Sequence, residues 1–403
     1  MCRRVEAVTN MTTTRRILSP AAIHGAGNRV VSIDLSSIVT RILLSETYVF
    51  QSVQANDLLL LAQAFDQSGV LTLFQAGALK IHYDTFTIGQ TGQLRADQNF
   101  RDNNKRLPLC SYSFSEIRLA DQEARFETVC GGLRPDLRDA VKANRIATPS
   151  SFKPQVFDGF YGDIRRNPLV LESAVRHDLK TRAIKAKNLK LSVEETDPED
   201  FRVSNNLVSE YHVSEQMAHH VIERAILASA NVNVKFGQMK VCDALSGIKE
   251  TDLPVIQAKF GSAIGFVEAG HGESRFERVA QITGLQGPKF GETKVDAEKL
   301  LRIRESDECR AFRDWLADTG SLSNHQLRDR VRGLNARIRQ AINSTPGKAV
   351  RFLISTGFSF VPHRPELGLA ASVIDTFIVE RLAPRDAVVV FLSDLYPSVF
   401  KKD

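Results

Sequence analysis

Six lysines and arginines crowd into residues 176–190: Arg176, Lys180, Arg182, Lys185, Lys187 and Lys190, with Asp178 the one acid among them. Phosphate binding asks for cations on a shared face, because each neutralised phosphate releases its condensed counterions. Arg165 and Arg166, just upstream, extend the same patch. The bland alternative is a solvated helix face. No aromatic residue falls inside the segment, so it lacks the stacking platforms of single-strand binders. Phe157, Phe160 and Tyr161 precede it and would supply rings if folded beside it.

A second pattern is Glu215, His219 and Glu223 at i, i+4 and i+8, with His212 one turn before. On a helix these share one face, and one histidine with two carboxylates can hold a divalent metal. The HExxH arrangement is missing, and a polar stripe opposite Met217 and Val221 explains the same residues. Asp34 ends the apolar run VVSID. An acid at a strand end can present a first metal ligand, with Asp57, Asp66 or Asp84 as partners in two-metal chemistry. It can equally cap a helix that starts at Leu35.

The glycines of GSAIGFVEAGHG (261–272) fit neither a GxxxxGK[ST] phosphate loop nor a GxGxxG turn, and no GxSxG elbow occurs. A last constellation is structural. Asp375 lies in the apolar stretch 367–382, among small residues that let another helix approach closely. A buried carboxylate must be paired or hydrogen-bonded, and Arg310 or Arg313 is the expected partner.

Those arginines belong to the stretch 296–318, DAEKLLRIRESDECRAFRDWLAD, which carries eight charges between Arg302 and Asp314. Leu301, Cys309, Phe312 and Leu316 thread through them at helical spacing, beside Trp315, the chain's one tryptophan. The spacing predicts one amphipathic helix with Arg304–Glu308, Arg310–Asp314 and Asp307–Arg310 pairs.

Elsewhere the chain predicts a strand at 30–34, a helix or a second apolar element over SSIVTRILL, a helix capped at Asn56 or Asp57, a further apolar segment at 70–76 closed by Gly77, and strands at 78–83 and 110–119. Helices follow at 134–146, from Asn167-Pro168 with Leu171, Val175 and Leu179 on one side, and from Ser214 to about Ala230. LKLSV (189–193) reads as a strand before an acidic turn, and 231–264 as short strands and turns. A helix starting at Ser321 or Ser323, the apolar run VRFLIST, and the helix 367–382 lead to a strand at 388–393 and a docked tail, LYPSVF.

The chain has 403 residues, 43% of them hydrophobic and 25% charged, enough for two or three domains. Its net charge of +6 comes from residues 134–190, which hold thirteen Lys and Arg against six Asp and Glu. The longest apolar run, FLISTGFSFV, is half of the ~20 residues a spanning helix needs, and no apolar core follows the N-terminal arginines as a secretory signal demands. Five scattered cysteines without CxxC spacing point to a reducing cytoplasm. Met11 is an alternative start.

The expected architecture is a mixed α+β fold: a disordered tail (1–28), an N-terminal mixed α/β region with the basic segment (29–188), a middle α+β region (189–290) and a mainly helical C-terminal unit (291–403). The expected function is a non-catalytic binding or regulatory protein, free of the membrane and of cofactors, that meets nucleic acid or an acidic partner through the basic segment. A metal-dependent nuclease or phosphohydrolase is one alternative, with a divalent metal as cofactor. A protein–protein assembly component is the other.

Overall fold

The structure, a computed structural model, describes residues 14–19, 22–24, 30–52, 56–83, 86–90, 110–116, 130–197, 200–246, 252–260, 293–318 and 387–402, with positions 124, 126–128, 279, 290–291, 326, 329 and 333. It is an α+β chain in two units: Met1–Ile81, Val129–Arg145 and Gly270–Asp403 form the first, His82–Thr128 and Ile146–Ala269 the second. No helix among the described residues is long and apolar enough to cross a membrane.

The chain begins with β1 (Thr14–Ser19), β2 (Ala22–His24), β3 (Val30–Ile33), α1 (Leu35–Leu44), β4 (Ser45–Ser52), α2 (Asn56–Gln75) and β5 (Leu79–Tyr83). Next come β6 (Phe86–Gln90), β7 (Cys110–Glu116), α3 (Pro135–Ala143), β8 (Arg145–Ile146), α4 (Phe152–Arg166) and α5 (Pro168–Thr181). Then follow β9 (Leu191–Asp197), β10 (Asp200–Asn205), α6 (Leu207–Tyr211), α7 (Glu215–Cys242), β11 (Leu245–Ser246) and α8 (Leu253–Phe260). The C-terminal part has β12 (Thr293–Val295), α9 (Ala297–Arg304), α10 (Asp307–Asp318), α11 (Ala387–Val390), a π-helical turn at Phe391–Leu395, α12 (Tyr396–Ser398) and β13 (Phe400–Lys402).

In the first unit the sheet runs in the order β1–β4–β5–β8, with β1 parallel to β4 from Thr14↔Ser45 to Ser19↔Phe50, so Thr14–Ser19, expected in a disordered tail, is strand and buries Leu18. Tyr48, Val49 and Phe50 of β4 are fully buried, as are Ile38, Val39 and Ile42 of α1. The carboxylate of Asp34 accepts the amide of Ser37 at 3.0 Å and so caps α1. The two apolar stretches read from Asn56 to Ala76 are one helical element, α2, bent at Asp66 (φ 56°, ψ 160°). Beyond the bend Gly69 runs close to α9, where an added Cβ would stand 3.2 Å from the Ala297 Cβ. Asp66 itself is exposed and pairs with Lys294 at 3.3 Å.

The single helix expected over 296–318 is two, broken at Glu305–Ser306. Each half has its own cap: Asp296 accepts from Lys299 N at 3.0 Å and Ser306 Oγ from Cys309 N at 3.2 Å. Cys309, Phe312 and Leu316 face inward as their spacing predicts, while Leu300 and Ile303, not Leu301, fill the core from α9. Arg310 meets Asp307 at 3.3 Å as expected, whereas Arg304 turns to Glu305 and to the carbonyl of Glu46. Arg313 donates to the carbonyl of Leu43 at 3.0 Å, and the Cys309 thiol reaches the same oxygen at 3.7 Å. One cation, Arg313, thus sits on a carbonyl of the last turn of α1, the negative pole of a helix, and a second, Arg304, on a carbonyl at the start of β4. Burial pushes the Cys309 thiol up to about 11. Asp375 and the helix 367–382 lie outside the described residues, as do the run VRFLIST and, apart from positions 326, 329 and 333, which are helical, the expected helix to Arg339. The apolar run at 388–393, read as a strand, is helical, and its Phe391 stacks on Phe312 with centroids 4.5 Å apart. The tail docks as predicted: Tyr396 is 2% exposed, and β13 pairs antiparallel with β12 through Val295↔Phe400.

The second unit is a bundle of α4, α5, α7 and α8 around Phe152, Val156, Phe160, Val175, Ile226 and Val255. Gly237 lets α7 approach α4 closely, since a Cβ there would lie 2.7 Å from the Phe152 ring. The Ser214 hydroxyl caps α7 as predicted, accepting from Met217 N at 3.2 Å. That helix does not stop near Ala230. It runs to Cys242, so the strands and turns expected from 231 give way to helix, with α8 following. The helix expected over 134–146 ends at Ala143, and Arg145–Ile146 enters the sheet as β8. β9 extends to Asp197, making strand of residues read as an acidic turn, and pairs antiparallel with β10.

Candidate functional site

The basic segment divides sharply between cations that hold the fold and cations that face water. Arg176 lies on α5, where its guanidinium donates to Glu172 at 2.6 and 2.8 Å and to the carbonyl of Ala186. Arg182 meets the buried carboxylate of Asp178 at 3.0 Å, and Arg224 of α7 reaches its other oxygen at 3.2 Å. Arg165 stacks over the Tyr161 ring at 4.7 Å. Arg166 is the last residue of α4. Lys180, Lys185, Lys187 and Lys190 are all exposed, and among the described residues no ion pair engages any of them.

These lysines stand on a fixed support. Helix α5 closes in the 6→1 and 5→2 pattern of a Schellman motif: Ile184 N donates to Leu179 O at 2.9 Å and Ala183 N to Lys180 O at 3.0 Å. The residue in the left-handed position is Ala183, φ 61°. From there residues 182–190 form no regular element, yet they are held at several points. Arg176 takes the carbonyl of Ala186 from one side. From the other, the Asn206 amide donates to Asn188 O at 2.8 Å and accepts from Lys190 N at 2.9 Å. Asn188 in turn donates to Glu210 at 3.3 Å. Asn206 and Asn188 were not foreseen from sequence. The Asn205-Asn206 pair ahead of a short helix was the available turn signal.

The upstream rings do not form a stacking platform. Phe160 and Tyr161 are buried, with ring centroids 5.2 Å apart, and Phe157 packs against the core. The exposed large hydrophobic residues among those described are Leu59, Leu169 and Val208, none aromatic.

The metal candidates stay apart. Among the described residues no three His, Cys, Asp or Glu side chains come together as a metal site. Glu215 is exposed at the start of α7 and His219 half-buried. Burial holds the His219 imidazole below its ordinary range, against the opposing charge of Glu223, and its Nε2 is buried without a hydrogen-bond partner. It is His220 that approaches the Glu223 carboxylate, at 3.9 Å. Asp34 is an exposed helix cap, Asp57 is buried, and Asp84 lies outside the described residues. Beside Asp34, Tyr396 donates to or accepts from the Ser36 hydroxyl at 3.2 Å, and burial raises its phenol.

No protein-family model matches the chain, and neither a curated protein nor a solved structure matches it.

Proposed function

We propose that this protein is a non-catalytic nucleic-acid-binding protein of the cytoplasm, and that the segment from Lys180 to Lys190, the end of α5 and the loop after it, is its phosphate-contacting surface. One observation carries the reading: four exposed lysines stand on the last turn of α5 (Lys180) and on the loop that follows it (Lys185, Lys187 and Lys190), whose backbone is pinned by Arg176 and Asn206. Preorganisation matters because a loop ordered before binding does not lose that entropy on binding. Lysine is a point charge that meets phosphate without the bidentate geometry that reads a base, so the contact is to the backbone and sequence-independent. The buried rings favour a duplex over a stacked single strand. Scattered cysteines, with Cys130, Cys242 and Cys309 buried and outside any disulfide, are in keeping with a reducing compartment.

The test is fluorescence anisotropy of the purified protein with a short DNA duplex across a salt series. Wild type is expected to bind with an affinity that falls steeply with salt. Replacing Lys180, Lys185, Lys187 and Lys190 by Gln is expected to reduce the log–log salt slope by about 3 to 4, the contribution of four phosphates. Absence of binding at low salt, or an unchanged slope in the variant, overturns the proposal. Tighter capture of an acidic peptide than of the duplex moves the surface to a protein partner. Single-strand preference would place the contact on other residues.

A further inference from the structure

A half-buried amine meets a buried amide and a buried carboxylate in the second unit. Lys259 Nζ of α8 lies 2.6 Å from Asn233 Oδ1 of α7 and 2.6 Å from Asp163 Oδ2 of α4. Asn233 Nδ2 donates to that same Asp163 oxygen at 2.7 Å, and to Ser229 O at 2.9 Å. Asp163 and Asn233 are 6% and 7% exposed, and the Lys259 side chain 19%. Gly159 makes the room: a Cβ there would come within 2.5 Å of Asn233 Oδ1. Asn233 is flanked by Val232 and Val234 on a helix whose inward face is otherwise mainly apolar.

We propose that Lys259 and Asn233 join in an autocatalytic intramolecular amide bond, with Asp163 as the proton carrier. The geometry supplies each part. One carboxylate oxygen touches both the nitrogen that must attack and the nitrogen that must leave, so it can serve as base and then as acid. Asp163 takes a proton from Lys259 Nζ, whose freed electron pair attacks Asn233 Cγ. The carbonyl π pair moves onto Oδ1. Collapse of that intermediate re-forms the carbonyl and breaks the Cγ–Nδ2 bond, as Asp163 returns a proton to Nδ2. One hydrogen stays on the new amide nitrogen. The Asn233 nitrogen departs as ammonia, and the surplus proton leaves with it as ammonium. Nothing else is consumed. Aminolysis of an amide is slow in water. Here, contact held by the fold replaces a bimolecular encounter, and burial limits competing hydrolysis. The carbonyl of Ser229 keeps the Asn233 amide turned so that Oδ1 faces the amine.

The readout is the intact mass of the purified full chain under denaturing conditions. Bond formation removes one ammonia, about 17 Da, and a tryptic digest then holds a branched peptide joining Asn233 to Lys259, uncut after Lys259. Asp163→Ala is expected to restore the full mass. Lys259→Arg keeps a cation beside Asp163 and Asn233 but no amine to acylate, so it is expected to fold, by circular dichroism, and to show full mass. Gly159→Ala displaces the amide and is expected to lower the branched fraction. Full mass in folded wild type after prolonged incubation overturns the proposal. So does an ammonia loss placed on an asparagine with no branch to Lys259, the signature of a succinimide.

Discussion

His219 shows how one residue can be polar in sequence and apolar in circumstance. Its spacing with Glu215 and Glu223 suggests a shared ligand face, but the helix turns its ring partly into the bundle and leaves Nε2 buried without a partner. Burial lowers its pKa from 6.5, outweighing the attraction of Glu223, and the neighbouring His220 lowers it further. The folded state therefore prefers the neutral ring. Its contribution to stability is present above the unfolded value of 6.5 and is lost as pH falls through the depressed folded value. Urea midpoints at pH 7.5 and 5 should differ more for wild type than for His219→Gln, which cannot titrate. Equal pH sensitivity in the two proteins would show that protonation of this ring is not coupled to folding.

Helix α5 was the most legible element. Asn167-Pro168 announced its start, and Leu171, Val175 and Leu179 its buried face. Its end was less legible, because the terminating residue is alanine where glycine is usual. The Schellman hydrogen bonds of Ala183 and Ile184, and the packing of Ile184 on the core, hold that left-handed alanine in place. Ala183→Gly should remove the strain and raise stability by about 1 kcal/mol, read from chemical denaturation, with the lysine loop unmoved. A loss of stability instead would mean that the freedom glycine gives the unfolded chain outweighs the relief. Element length was the recurrent difficulty. Asn231 and Asn233 among β-branched residues hide the second half of α7, which packing against α4 and α8 makes helical despite weak local propensity. The run at 388–393 shows the same ambiguity: six apolar or small residues do not distinguish a buried strand from a buried helical turn. The kink at Asp66 left no sequence signal, since that position carries neither Gly nor Pro. The candidate lysines were visible as charge. Which cations are engaged was not, because a backbone acceptor such as Ala186 O, or a carboxylate such as Asp178 that Arg182 shares with Arg224 of α7, becomes available only in the fold.

At the scale of the molecule, the first unit depends on chain segments far apart in sequence: β13 at the C-terminal end pairs with β12, and Tyr396 packs at the start of α1. Local patterns report such closure only indirectly, as an apolar tail that must dock somewhere. The arrangement gives the tail a specific load. Tyr396 and Val399 are fully or almost fully buried, Tyr396 bonds the Ser36 hydroxyl, and Val399 O accepts the amide of Asp296, the cap of α9. Trp315 stacks on Phe312, which stacks on Phe391 just ahead of the tail, so the chain's one tryptophan reports on this region. Removing residues 396–403 should lower the tryptophan-detected unfolding free energy by at least the ~3–5 kcal/mol typical of deleting one buried aromatic side chain. Tyr396→Phe, which keeps the ring and removes the hydroxyl, should cost about 1 kcal/mol. The two variants separate packing from hydrogen bonding. A truncated chain with an unchanged tryptophan midpoint would mean that β12 and α1 hold their places without the tail. A graded loss, small for Phe and large for the deletion, would mean that the last strand closes the core of the first unit.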